Sequence, residues 1–330
     1  MLNRINLKFY NDQLRLFVSF IKQRRIRKIK FLLTLVIFIL LPTYSYNLSS
    51  IINSTKPVVH PQTITLPELS LYPVNVTGQS APWLTANAVV VIDVPSKTII
   101  FAKNPDTQFL PASTTKIMTA LVTLDFYKLT DVLEVRSMNS IGQTMKLELR
   151  ERITVENLLY GLLVQSGNDA ALLLAENYPG GVKDFVAAMN KKAKEFNLLH
   201  TNFVNPTGVE DYGHLTSAHD LAILGAQVMK NEKLASIVAT PAIIISNVTG
   251  DIQHELKNIN QLVGKVIGLK GIKTGWTENA GECLIAYVER DKGKIITVVL
   301  GSKNRFAETE TLINWVFDNF SWQTTKSIPD

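Results

Sequence analysis

Strand-type sequence brackets a long helix-type middle in this chain, and that order restricts the fold more than any other feature. Ala88–Ile92 is a β-branched run, and Thr98–Phe101 returns as a second after a turn over Asp93–Lys97. From Ser113 to about Tyr127, the spacing of Ile117, Met118, Leu121, Val122 and Leu124 predicts a helix. Val155–Gln165 predicts another, capped by Thr154; Ser166-Gly167-Asn168 breaks it, and Ala170–Glu176 restarts it. Gly181–Phe196 carries an apolar stripe through Phe185, Met189 and Ala193, and Ser217 with Asp220 has capping-box spacing at the head of a further helix. Strand signals return at Pro241–Val248, Gln253–Lys257 and Gly271–Thr274. A hairpin follows, Cys283–Glu289 with Lys294–Leu300, and then a helix over Arg305–Phe320. The expected fold class is therefore α/β (α+β): a mostly antiparallel sheet flanked by helices, its first and last segments neighbours, plus a helical lobe. A cleft between sheet and lobe is the natural place for a site.

The 330 residues divide unevenly in charge. Residues 1–30 hold nine Lys/Arg and one Asp, a net of +8, so the total of +6 leaves 6 − 8 = −2 for the rest. The basic character belongs to the tail, and a nucleic-acid partner has little support. Lys22, Arg24, Arg25, Arg27, Lys28 and Lys30 stand directly before the apolar run Phe31–Leu41, whose character extends loosely to Tyr46. Positive charge before an apolar run keeps the N-terminus in the cytoplasm and sends the remainder across. Residues 1–30 are thus expected to be a basic cytoplasmic tail, and 31–46 a membrane anchor or the core of a signal peptide. Residues 47–80, rich in Ser, Thr, Pro and Asn, read as a flexible stalk; 81–320 as the catalytic domain; 321–330 as a tail. Cys283 is the only cysteine, so no intrachain disulfide can form, and its apolar neighbours suggest a buried strand position. His214 and His219 are five apart, and no histidine pair has metal-ligand spacing.

Three short motifs occur in order: Ser113-Thr114-Thr115-Lys116, Ser166-Gly167-Asn168 and Lys273-Thr274-Gly275. Each alone is weak. Ser19/Lys22 also fits the first pattern, Ser137/Asn139 and Ser302/Asn304 the second, and each motif alone fits a helix cap or a strand end. Lys-Thr-Gly occurs once, against a chance expectation on the order of 0.1 at average residue frequencies. Together they supply a hydroxyl nucleophile, two amines, a second hydroxyl and an amide, the means to attack an acyl group without histidine. Lys116, one turn beyond Ser113, can reach its hydroxyl. It serves as base only if neutral, and burial or a second cation such as Lys273 would lower its pKa.

This set resembles the penicillin-binding-protein and serine β-lactamase superfamily, and within it the low-molecular-mass D-alanyl-D-alanine carboxypeptidases. Pro111–Thr119, Leu158–Leu163 with Ser166–Ala170, and Gly271–Thr277 carry the resemblance, which covers about residues 85–320. It implies Ser113 as acylated nucleophile, Lys116 as its base and Ser166 as proton relay. Asn168 would hold the substrate amide, Lys273, Thr274 and Gly275 the terminal carboxylate and backbone, and backbone N–H groups of Ser113 and Trp276 the oxyanion. Arg305 occupies the place of a carboxylate-binding arginine found before the last helix. Trp276 stands where some relatives carry a smaller or polar residue. The family's β-rich C-terminal domain has no counterpart before Asp330, so attachment to the membrane is expected through residues 31–46.

The implied activity is removal of the terminal D-alanine from peptidoglycan pentapeptides, with β-lactams as covalent inhibitors and no metal or cofactor required. Rivals are a DD-endopeptidase cutting cross-links, a β-lactamase, and a non-catalytic wall-binding or β-lactam-sensing module. The segment after Asn168 lacks an E-x-x-L-N deacylation signature, which counts against the β-lactamase.

Overall fold

A computed structural model describes residues 14–37, 71–291 and 293–324. The chain divides into two units, Met1–Leu66 and Pro67–Asp330. In the first, residues 14–37 form helix α1, its side chains exposed. Among the described residues no helix is long and apolar enough to cross a membrane. The apolar run is described only as far as residue 37; the remainder of the expected anchor, the stalk up to residue 70 and the end of the tail lie outside the described residues.

In the second unit the central strands are β2 (Ala88–Asp93), β3 (Ile99–Lys103), β8 (Leu269–Thr277), β9 (Gly281–Arg290) and β10 (Gly293–Ser302). They form one antiparallel sheet in the order β3-β2-β10-β9-β8, so the expected neighbours at the two ends of the domain do pair, Val90 opposite Val298. The period of two sorts the side chains. Val89, Val91, Leu284, Ala286, Ile295 and Val299 pack with Leu312, Ile313 and Val316 of α8 (Arg305–Asn319). Val90, Ile285, Ile296 and Val298 point the other way into the larger core. Both faces are covered, which is why these strands read as continuous apolar runs. Each such Val or Leu contributes roughly 1.5–3 kcal/mol by leaving water.

The larger core holds the helical lobe: α2 (Lys116–Phe126), α3 (Val155–Leu163), α4 (Asn168–Glu176), α5 (Gly181–Glu195), α6 (Ala218–Lys230) and α7 (Glu232–Val238). The two caps behave as expected, Thr154 accepting from Asn157 N and Ser217 from Asp220 N. At Gly225, α6 lies so close to the sheet that a Cβ would stand 3.1 Å from Ile272 and Ile285 methyls. Two small hairpins flank the lobe, β4 (Val132–Glu134) with β5 (Arg152–Thr154) and β6 (Ala242–Ser246) with β7 (Gln253–Lys257). Cys283 is fully buried on β9.

The domain limits differ from the expected ones. Strands β1 (Tyr72–Asn75) and β11 (Phe320–Gln323) pair antiparallel, so residues 72–75, expected within the stalk, and 321–323, expected within the tail, belong to the folded body. Trp322 is the physical reason: its ring stacks on Phe317 at 5.5 Å, occupies the space left by Gly293, and its Nε1 donates to Asp93 Oδ1 at 2.7 Å.

Candidate active site

The first motif sits in a 3-10 turn, Ala112–Thr115, and α2 begins only at Lys116. Ser113 therefore does not open an α-helix; it precedes one by a tighter turn. The turn closes through side chains, Thr114 Oγ1 donating to Pro111 O at 2.6 Å and Thr115 Oγ1 to Ala112 O at 2.8 Å. Ala112 takes φ +48°, a left-handed backbone uncommon for a residue with a Cβ. Gly208 and Gly275 press against this turn. A Cβ on Gly208 would stand 1.9 Å from Ala112 O, and one on Gly275 3.1 Å from Ser113 N. Only glycine lets the two backbones approach so closely.

Lys116 is fully buried, its Nζ 2.9 Å from Ser113 Oγ and donating to the Thr207 carbonyl at 2.5 Å. Burial, then the charge of Lys273, holds its pKa well below the ordinary 10.5, with Asp169 opposing. Ser166 joins α3 to α4 at φ +63°. Gly167 has no room for a side chain, since a Cβ would lie 2.7 Å from Asp169 Oδ1 and 3.2 Å from Met145 N. Asn168 starts α4, donates Nδ2 to Ile141 O at 2.5 Å, and leaves its buried Oδ1 without a partner among the described residues.

Lys273 arrives from β8, the edge strand of the sheet, with Nζ 2.8 Å from Ser166 Oγ and 3.1 Å from Thr274 O. Burial, then Arg305, brings its pKa down to about 7. Arg305, at the first position of α8, donates Nη1 to Gly275 O at 2.8 Å. Ser113, Ser166, Asn168, Thr274, Gly275, Trp276 and Arg305 all line one cleft of about 580 Å³, with Lys116 and Lys273 hydrogen-bonded to its two serines. Trp276 is 62% exposed at its rim. Every site residue expected from the sequence is thus at or directly beneath a single cleft.

The other serines that fit these patterns have other partners. Ser19 donates to Leu16 O within α1, Ser137 to Glu176, and Ser302 to Glu308. Residues the sequence reading missed support the site from behind. Asp169 accepts N–H groups of Met145 and Leu147 and so fixes the wall built by 141–143. Its sequence signal is an acid in the first turn of a helix, which ordinarily means only dipole compensation. Thr207 acts through its carbonyl, which has no residue-type signature. Glu210, which also lines the cleft, accepts from Asn279 N and Nδ2.

A cleft with two Ser–Lys contacts, at the edge of an antiparallel sheet, agrees with the match of residues 75–304 to the profile described as D-alanyl-D-alanine carboxypeptidase, peptidase family S11. The chain belongs to the D-alanyl-D-alanine carboxypeptidase family. Within the family, it is 35% identical over 245 residues to the D-alanyl-D-alanine carboxypeptidase DacF of Bacillus subtilis, covering 71% of this chain and 63% of that protein. It is 34% identical over 258 residues to DacA of Haemophilus influenzae, covering 74% and 64%. The chain thus matches less than two thirds of the length of these carboxypeptidases. The crystal structure of the Streptomyces K15 DD-transpeptidase superposes with a TM-score of 0.68 at 28% identity, covering 73% of this chain and 100% of that one. The family fold is the expected α/β arrangement of antiparallel sheet, flanking helices and helical lobe.

Proposed function

We propose that this protein is a serine-type D-Ala-D-Ala carboxypeptidase that removes the terminal D-alanine from peptidoglycan pentapeptides. One observation carries the reading: Ser113, Lys116, Ser166 and Lys273, from three distant segments, are linked as two Ser–Lys contacts of 2.9 and 2.8 Å at one cleft. Lys116, whose charged form burial and Lys273 disfavour, takes the Ser113 proton as Oγ bonds to the carbonyl carbon of the penultimate D-alanine. The backbone N–H groups of Ser113 and Trp276 receive the developing oxyanion, an effect typically worth several kcal/mol. Ser166 passes a proton to the leaving amine as the C–N bond breaks. Lys273, Thr274 and Arg305 hold the carboxylate of the departing D-alanine, Asn168 holds the preceding amide, and the free edge of β8 aligns the peptide backbone. Water then hydrolyses the ester and restores Ser113. Penicillin acylates the same hydroxyl.

A peptidoglycan substrate, as proposed here, supports a location of the domain outside the cytoplasm. Six basic residues abutting Phe31–Leu41 support a single-pass membrane anchor over 31–46, with a secreted, signal-cleaved form as the alternative. Membrane fractionation of the full chain with N-terminal sequencing separates the two.

The test of the activity is mass-spectrometric analysis of a synthetic stem pentapeptide and of cross-linked muropeptides after incubation with the protein. Free D-alanine and a tetrapeptide from the monomer are expected. Cleavage of cross-links with the pentapeptide left intact would replace this reading with the endopeptidase.

A further inference from the structure

His214 takes no part in the chemistry above, yet it is 1% exposed and ties together the two backbone segments that set the Ser113–Lys116 pair. Its Nδ1 lies 2.9 Å from the Val204 N–H. A backbone amide only donates, so Nδ1 is the acceptor and the neutral ring carries its proton on Nε2. Nε2 stands 2.8 Å from Thr115 Oγ1, whose own proton goes to Ala112 O at 2.8 Å. Three hydrogen bonds therefore run in one direction, Val204 to His214 to Thr115 to Ala112, and end on the left-handed residue directly before the nucleophile. Gly208 packs against that same Ala112 carbonyl, in the loop that also presents the Thr207 carbonyl to Lys116. Burial pushes the His214 pKa down to about 4 against the opposing charge of Asp211, so the ring is neutral at physiological pH. The edge of the Phe203 ring, 5.8 Å from the imidazole between centroids, completes the enclosure.

We propose that His214 is a positioning residue for acylation, orienting Ser113 through Thr115 and Ala112 while anchoring the loop that receives Lys116. The proposal rests on the acyl-enzyme reading above. It assigns His214 a polarity, donor at Nε2 and acceptor at Nδ1, which separates it from a residue that merely fills space.

The test uses the full chain and benzylpenicillin, following acylation over time by intact-mass spectrometry to obtain a limiting rate and a half-saturation concentration. His214→Asn keeps an acceptor near Nδ1 and loses the donor to Thr115; His214→Gln offers an amide donor near Nε2; Thr115→Val breaks the chain without touching the histidine. The expected result is a limiting rate reduced about tenfold or more in His214→Asn and in Thr115→Val, with the half-saturation concentration little changed, because a small misplacement of the nucleophile costs rate rather than affinity. His214→Gln should recover most of that loss. The double variant His214→Asn/Thr115→Val should be no slower than either single one, since both break one chain. Unchanged rates, additive losses, or equal failure of Asn and Gln would overturn the proposal. If His214→Asn does not fold, Thr115→Val decides alone. Absence of wild-type acylation at Ser113 would overturn the catalytic reading and this one with it, whereas normal wild-type acylation matched by Thr115→Val would overturn this one only.

Discussion

Lys273 Nζ lies 2.8 Å from Ser166 Oγ although 107 positions separate them in the chain. One comes from the edge strand β8 and the other from the junction of two helices, so the contact closes the cleft between sheet and helical lobe. It also places a second buried cation near Lys116, and the two lysines share one poorly solvated space. Burial and the Lys273 charge disfavour the charged form of Lys116, while burial and Arg305 act on Lys273, which divides the labour: Lys116 as the base, Lys273 as the cation.

With the proposed activity, that division should give kcat/KM for D-alanine release a bell-shaped pH profile. Lys116 must be neutral, so the rate rises as pH climbs through its lowered pKa. Lys273 must be charged to hold a carboxylate, and with a pKa of about 7 it loses its proton above neutrality, so the rate then falls. Lys273→Arg keeps the charge at all accessible pH and should carry the falling limb upward. A falling limb that stays in place would detach it from Lys273.

The same shift predicts how stability depends on pH. Lys273 titrates at about 7 in the folded protein, against 10.5 as its ordinary value. Between those two values the unfolded chain binds a proton that the folded one does not. Stability contributed by this group therefore rises with pH across that window. Urea midpoints measured through the window should climb more steeply for the wild type than for Lys273→Met; parallel curves would contradict the shift.

Arg305→Ala should slow peptide turnover more than penicillin acylation. The guanidinium is anchored on Gly275 O and leaves its Nε without a partner among the described residues, suited to a carboxylate at the cleft. Loss of one charge-assisted hydrogen bond costs about 1.5–3 kcal/mol, roughly 10- to 100-fold in rate on the peptide. Equal losses on both substrates would remove Arg305 from the site.

Gly208→Ala tests the crowding behind the nucleophile. At φ +86°, with a Cβ 1.9 Å from Ala112 O, the substitution must move the turn that carries Ser113. Gly181 has a similar φ of +68° but open space around it, so Gly181→Ala measures the backbone strain alone. Both should lose about 1–3 kcal/mol in urea unfolding from strain, and only Gly208→Ala should also slow acylation. Equal acylation by the two variants would contradict the close contact.

The sheet was legible because strands covered on both faces are continuous apolar runs, as at Ala88–Ile92, and the helical lobe because burial on one face imposes a helical period, as through Phe185 and Met189. Four-residue strands carry too little period to see; β1 and β11 depend on Trp322 finding Phe317 and Gly293, a contact no local window contains. The motifs announced their side chains, but not the 3-10 turn beneath Ser113, which side-chain bonds from Thr114 and Thr115 impose. Thr207 was invisible because a carbonyl has no sequence signature. Asp169 and His214 looked like an ordinary helix-start acid and an unpaired histidine until their partners, distant in sequence, came into view.

The most direct measurement is intact-mass spectrometry of the protein after penicillin treatment, with peptide mapping of the adduct. One penicilloyl group is expected, on the peptide containing Ser113, absent in Ser113→Ala and retained in Ser19→Ala. An adduct that maps to another residue, or that survives Ser113→Ala, would contradict the assignment of Ser113 as the nucleophile.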